Sequence, residues 1–349
     1  MSPPSLAARC PRAFPRGWRL AAALLLWAIA CGPLAAQSQP APPAAGAQQQ
    51  LTIEALSVVK VRSKAMSNAR SLRTLGPQRE GSGVVIDSQG LVLTIGYLIV
   101  EAEVVDLVTT DGRSYPAAVV GYDNVTGFGL LRALRPLPVP PVQMGQSATV
   151  TDRELVLIVG YDGVAPAYVV SRRPFVGYWE YLLDEAIYTA PATVNWSGAA
   201  LLNREGKLLG IGSLVVGDAM GSASQMPGNL FVPIDLLKPL LGDLLANGRL
   251  SVRPRPWIGL NTQEVQGNVI VTRVSPESPA EAAALRPGDV IVGVAGQSLS
   301  GQADFYNKLW SRGEAGVEIP LDVLREGRVQ KVPVKSIDRD RYYRAKPTL

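Results

Sequence analysis

From about residue 51 onward, short apolar runs alternate with turn residues, and this alternation constrains the fold more than any other feature of the chain. Runs at 83–86, 91–94, 104–109, 117–120, 130–131, 155–159, 168–170 and 208–211 are punctuated by Asp87-Ser88-Gln89-Gly90, Asp111-Gly112-Arg113 and Arg204-Glu205-Gly206-Lys207. Short strands at roughly even spacing with hairpin signals predict an all-β barrel or sandwich. Residues 234–245 (IDLLKPLLGDLL) differ: they are apolar at helical spacing, blemished by Pro239 and Gly242, and closed by Asn247-Gly248. Arg253-Pro254-Arg255-Pro256 reads as a linker, after which a second module begins at Trp257.

The N-terminus has another texture. Arg9, Arg12, Arg16 and Arg19 precede the apolar run 20–31 (LAAALLLWAIAC), and Gly32-Pro33 breaks it. A basic start, a short apolar centre and small residues predict a secretory signal peptide over 1–36, cleaved after Ala36. The alternative is a lipoprotein box at Ala28-Ile29-Ala30-Cys31, which leaves a lipid on Cys31. Residues 37–50, rich in Pro, Ala and Gln and free of charge, read as a flexible tether.

Composition narrows the chemistry. Histidine is absent from all 349 residues, which excludes a Ser-His-Asp triad, a Cys-His dyad, His-ligated zinc and a histidine pH switch. Cysteine occurs only at Cys10 and Cys31, so a disulfide scaffold and a Cys-rich metal site are excluded as well. No metal or other cofactor is expected. The net charge is +5, but four of the 34 basic residues lie ahead of residue 20, and the rest nearly balance 29 acidic ones. The basic excess therefore belongs to the leader and does not indicate a nucleic-acid-binding surface. With 47% hydrophobic and 18% charged residues, the chain has the means to bury a core.

Five collinear motifs carry a resemblance. Gly81-Ser82-Gly83-Val84-Val85-Ile86-Asp87 through Thr94, then Asp111-Gly112-Arg113 and Val119-Val120-Gly121-Tyr122-Asp123, are similar to the barrel of the HtrA (Deg) protease family. So are residues 201–212 (LLNREGKLLGIG) and Phe231-Val232-Pro233-Ile234, the latter at the start of that family's closing helix. Trp257-Ile258-Gly259-Leu260 and 285–291 (LRPGDVI) resemble a bacterial PDZ domain. The resemblance implies a mainly β fold: a trypsin-like double six-stranded β-barrel over 51–250, a PDZ domain over 251–337, and a charged tail over 338–349. The alternating charge of that tail (DRDRYYRAK) predicts a solvated end.

The departures bear on chemistry. The family's histidine position falls on Tyr97, and its triad aspartate falls on Gly127 (DNVTGFGLL where the family has DxxTDLALL). The nucleophile motif GNSGGP becomes Asn195-Trp196-Ser197-Gly198-Ala199-Ala200, so Ser197 alone of the triad types remains. A serine hydroxyl without a base is a poor nucleophile. Lys60, Lys64 and Lys207 are the barrel's lysines outside the closing helix, and the resemblance places none beside Ser197. A tyrosine serves as base only if a nearby cation lowers its pKa by several units. An oxyanion hole would use the N–H groups of Asn195 and Ser197. Arg172-Arg173-Pro174 interrupts the region that shapes the specificity pocket of active relatives.

In the second module, Trp257, Ile258, Gly259 and Leu260 would capture a terminal carboxylate while a peptide strand adds beside them. Residues 302–310 (QADFYNKLW) have helical spacing and would line the groove with Phe305 and Leu309. The resulting expectation is a periplasmic or secreted protease homologue that binds polypeptide ends without cutting them, as an adaptor, chaperone or regulator of an active relative. The alternatives are a serine hydrolase with a non-standard base and a structural module that self-associates.

Overall fold

A computed structural model of the chain describes residues 53–221 and 225–343; the leader, the tether and the lipid box at Cys31 lie outside them. Six strands form the first closed barrel: β1 Val58–Ala65, β2 Gln78–Val85, β3 Leu91–Ile95, β4 Ala102–Val108, β5 Ser114–Tyr122 and β6 Phe128–Ala133. They run β1-β2-β3-β6-β5-β4 around the barrel. Six more form the second: β7 Leu155–Gly160, β8 Gly163–Gly177, β9 Tyr181–Ala190, β10 Ala200–Leu202, β11 Leu208–Val216 and β12 Gly228–Pro233, in the order β10-β11-β12-β9-β8-β7. Alternation sends one set of side chains inward, so Val59, Val61, Leu93, Leu107, Phe128 and Leu130 fill the first core and Val156, Ile158, Val169, Ile187 and Phe231 the second. The pattern of short runs missed β1, β9, β10 and β12: polar residues interrupt β1 and β9 (VVKVRSKA, YLLDEAIYTA), β10 is three residues long, and β12 is buried throughout.

The barrels meet where backbone approaches backbone. Ser82 donates its N–H to the Ser197 carbonyl at 2.8 Å, and Tyr161 N–H reaches Ser82 Oγ at 3.0 Å. A Cβ on Gly81 would stand 2.9 Å from Ser197 Oγ and 2.5 Å from Leu98 Cδ1, so only glycine lets β2 pass the serine.

The helical segment expected over 234–245 is divided. A 3₁₀ turn covers Ile234–Leu236, and helix begins again only at Leu241–Asn247, beyond Pro239, which has no N–H to continue the ladder. In chain order the helices are α1 Leu72–Leu75, α2 Leu241–Asn247, α3 Pro279–Ala282, α4 Gln302–Trp310 and α5 Arg339–Tyr342.

The second module is a sheet in the order β13-β14-β15-β17-β18, with β13 Leu260–Val265, β14 Asn268–Val274, β15 Val290–Val294, β16 Gln297–Ser298, β17 Glu318–Arg325 and β18 Arg328–Lys335. α4 packs on it through Phe305 and Leu309. β13 is an edge strand.

The described part of the tail, residues 338–343, packs against the body. Tyr342 is buried; its ring lies 4.5 Å from Trp257 and under the Arg70 guanidinium at 4.5 Å. Arg70 also donates to the Tyr342 carbonyl at 2.6 Å, and Asn124 donates to Asp340. Charge counting overlooked the apolar bodies of Tyr342 and Tyr343, which anchor the segment.

Candidate functional site

Tyr97 sits on the 3₁₀ turn Gly96–Leu98, directly after β3. That turn is fixed from behind: Gly96 N–H donates to the Gly127 carbonyl at 2.7 Å, and buried Arg79 donates to the carbonyls of Tyr97 and Val100 at 3.2 and 2.6 Å. Tyr97 Oη then lies 2.9 Å from Ser197 Oγ and 2.9 Å from the Ser213 carbonyl oxygen. A carbonyl only accepts and a phenol has one proton. The Tyr97 hydroxyl thus has two acceptors for its single proton, Ser197 Oγ and the Ser213 carbonyl oxygen. Burial pushes the Tyr97 phenol well above its ordinary value, and the bond with Ser197 opposes this only in part. The phenol is thus neutral at neutral pH and cannot take the serine proton as a base.

Gly127 holds φ +87°, and a Cβ there would meet Tyr181 Oη at 3.3 Å. Tyr181, at the start of β9, donates to the Thr126 carbonyl at 2.6 Å. The nearby carboxylate, Asp123, turns to its own loop, accepting from Thr126 N–H at 2.8 Å and Thr126 Oγ1 at 2.6 Å. A tyrosine hydroxyl thus stands beside each of the two positions where the resemblance lacks its side chain, and nothing in the sequence pattern marks Tyr181.

The loop before Ser197 is held by Asn229, fully buried, which accepts from Thr193 N–H at 2.8 Å and donates to its carbonyl at 3.0 Å. The Asn195 N–H faces Thr193 Oγ1 at 3.4 Å, a long bond within its own loop. Trp196 lies edge-tilted to Tyr97, with ring centres 6.4 Å apart. The two arginines of the interrupted pocket are both tied down. Arg173 lies 3.8 Å over the Tyr188 ring and donates to the Asp218 carbonyl at 2.7 Å, while Arg172 donates to Ala148 O at 3.0 Å and pairs with Glu185 at 2.6 Å. Lys60 pairs with Glu80 and Lys207 with Glu205, each at 2.7 Å. Among the described residues no group of His, Cys, Asp or Glu side chains is arranged to hold a metal ion.

The second module places its expected residues differently. Phe305 and Leu309, expected to line the groove, are fully buried in the domain core, because the helix repeat turns them inward. Gln302 and Tyr306, one turn apart, face the groove instead; Gln302 Nε2 donates to the Thr262 carbonyl at 2.9 Å. Trp257 braces the loop from behind, exchanging backbone hydrogen bonds with Ile337 at 3.0 Å. Ile258, Gly259 and Leu260 point their N–H groups in one direction. Gly259 allows this at φ +88°.

Two domain families match. Residues 81–211 match the trypsin-like peptidase domain, and residues 256–335 match the PDZ domain. The chain is 28% identical over 276 residues to a probable periplasmic serine endoprotease DegP-like from Marinomonas, covering 73% of this chain and 56% of the relative. It is 27% identical over 273 residues to the periplasmic pH-dependent serine endoprotease DegQ of Escherichia coli, covering 73% and 58%. The serine endoprotease DegS of Haemophilus influenzae is 24% identical over 305 residues, covering 80% and 83%. The chain thus spans little more than half the length of several curated relatives that it matches. A solved structure of a variant of the HtrA-type protease AlgW with a tripeptide superposes with a TM-score of 0.50 at 22% identity, covering 84% of this chain and 95% of that one. That likeness bears on fold.

Proposed function

We propose that this chain, a trypsin-fold protein of the HtrA/Deg type with a PDZ domain, holds polypeptides without cutting them. The observation that carries this reading is the contact of Tyr97 Oη with Ser197 Oγ at 2.9 Å. In a working triad a base occupies that place and takes the serine proton. Here the occupant is a phenol whose own proton has a carbonyl to bind. Gly127 adds no carboxylate to orient or charge it. In the second barrel the Asn195 N–H, one of the two expected oxyanion donors, faces Thr193 Oγ1 of its own loop at 3.4 Å. Losing the base and its orienting acid together leaves roughly 10³–10⁴-fold over water from binding and any oxyanion donors.

The names of the relatives favour a periplasmic location, and we assign the same to this chain, with residues 1–36 as its leader and 37–50 as its tether. The names also favour a second reading, an active serine hydrolase with an unconventional base for Ser197. Unfolded casein separates the two. The proposal expects casein to co-elute with the chain from a sizing column and to stay intact for hours. Fragments that form with the wild type and not with Ser197→Ala would establish the second reading.

A further inference from the structure

The carboxylate loop of the PDZ module is occupied by a residue of the first domain. Glu180 lies at the tip of the β8–β9 hairpin and is only 4% exposed. Its Oε1 accepts from Gly259 N–H at 2.7 Å and Leu260 N–H at 2.8 Å, and its Oε2 accepts from Ile258 N–H at 3.2 Å. Three convergent backbone donors on one carboxyl are what a chain terminus would receive in this loop.

The same hairpin also uses the open edge of the sheet. β13 has β14 on one side only. Off its free side, Leu260 N–H goes to Glu180 and Thr262 N–H goes to the Tyr178 carbonyl at 2.8 Å. Residues i and i+2 of a strand donate in the same direction, so this is the spacing of strand addition. The helix across the groove closes on it as well. Tyr306 Oη donates to the Gly177 carbonyl at 2.8 Å and lies 3.0 Å from both Gln302 Nε2 and Thr262 Oγ1. Val176 and Leu182, flanking the tip, pack on the PDZ core.

We infer that Glu180 is an internal ligand of the PDZ groove: residues 177–180 fill it as a terminal carboxylate and a short strand would, so an outside chain end enters only by displacing them. The burial of an acid without a cation in direct contact agrees with this, because backbone N–H groups are the partners that make such burial tolerable. Loss of Glu180 uncovers three N–H donors and leaves the groove built, since Gly259, Trp257 and α4 do not depend on it.

Hydrogen exchange on the whole chain tests the inference, with Glu180→Ala and the isosteric Glu180→Gln beside the wild type. The amides of Ile258, Gly259, Leu260 and Thr262 should exchange at least about tenfold faster in Glu180→Ala, with the amides of β10–β12 unchanged as the fold control. Glu180→Gln keeps an acceptor and should fall between. Equal exchange in all three proteins overturns the inference. A second arm uses fluorescein-labelled random decapeptides with a free C-terminus, and their C-terminally amidated twins. Glu180→Ala should bind the free-acid mixture at least about tenfold more tightly than the wild type, and the amidated mixture no better. Measurable and equal affinity of both proteins for the free acids again overturns the inference. Because the inference rests on the fold of the groove and only its consequence rests on polypeptide binding, the arms separate: faster exchange with no binding by either protein keeps the internal ligand and removes outside chain ends as the PDZ groove's substrate.

Discussion

The barrel site and the PDZ groove have met opposite fates in one chain. In the barrel, Tyr97 and Gly127 stand where the resemblance calls for a base and an acid, and the backbone at Gly127 is left-handed as well. In the groove, the chemistry persists and is in use, with three N–H donors on a carboxyl. The difference is one of material. Catalytic groups belong to side chains, and one substitution removes each. The carboxylate loop is made of backbone, so any sequence that keeps the loop's path keeps its donors.

If that contrast holds, the largest effects come from changes to backbone path. Gly198 (φ +71°) and Gly259 (φ +88°) occupy corresponding roles, and a Cβ would press on the Thr94 hydroxyl in one and on Ser278 Oγ in the other, at 2.8 and 2.6 Å. Gly198→Val and Gly259→Val should each lower stability by about 3 kcal/mol or more in urea unfolding, through left-handed strain plus overpacking. A mild effect at Gly259 alone would mean that the loop is adaptable and the contrast is wrong.

A smaller effect is expected from Tyr97→Phe. The Ser213 carbonyl and Ser197 hydroxyl lose a partner, and stability should fall by about 1–2 kcal/mol in the same assay. A gain in cleavage on this change would show that Tyr97 restrains a competent serine.

The groove should respond to pH. Burial lifts Glu180 to about 7, against the pull of the three N–H groups and of Arg339. Tyr306 also faces it, as a neutral phenol raised by burial. A raised carboxyl favours the protonated fold, so its stabilisation is complete below the usual glutamate range and is lost as pH rises through about 7. Asp340, lifted to about 6 by burial and by Asp338 and Asp123, acts in the same direction. Urea midpoints should therefore fall between pH 5 and pH 8, and Glu180→Gln should flatten the upper part of that decline. An unchanged profile in Glu180→Gln would place the acid in solvent.

The smallest expected effect is none. Tyr97→His combined with Gly127→Asp should restore no casein cleavage, because residue 127 is left-handed and its Cβ position faces Tyr181 Oη at 3.3 Å. Cleavage by the double variant would show that neither the left-handed backbone at residue 127 nor the Tyr181 hydroxyl keeps a restored triad from working.

Much of the fold was legible because glycine-flanked apolar runs repeat locally. β3, β6, β7, β11 and α4 follow directly from their patterns. β1 and β9 were hidden by polar residues on their outward faces, and the tail was misread because Tyr342 counts as neither charge nor apolar run. In the site, Ser197 and Tyr97, whose hydroxyls the fold brings together at 2.9 Å, were singled out by motif register. Tyr181, Glu180, Gln302 and Tyr306 were not, since each acquires its role from an element distant in sequence: Glu180 lies about 80 residues from the N–H groups that it meets. The one available signal was an acid among aromatics at a hairpin tip, Tyr178-Trp179-Glu180-Tyr181.

The state of Ser197 is the center of the account, and a fluorophosphonate reads it most directly, since that reagent labels activated serines. Intact-mass analysis of the wild type and Ser197→Ala after exposure should show each protein at its own unlabelled mass. An adduct on the wild type that vanishes in Ser197→Ala would mean that the hydroxyl beside Tyr97 is still activated, and the non-cleaving reading would be wrong.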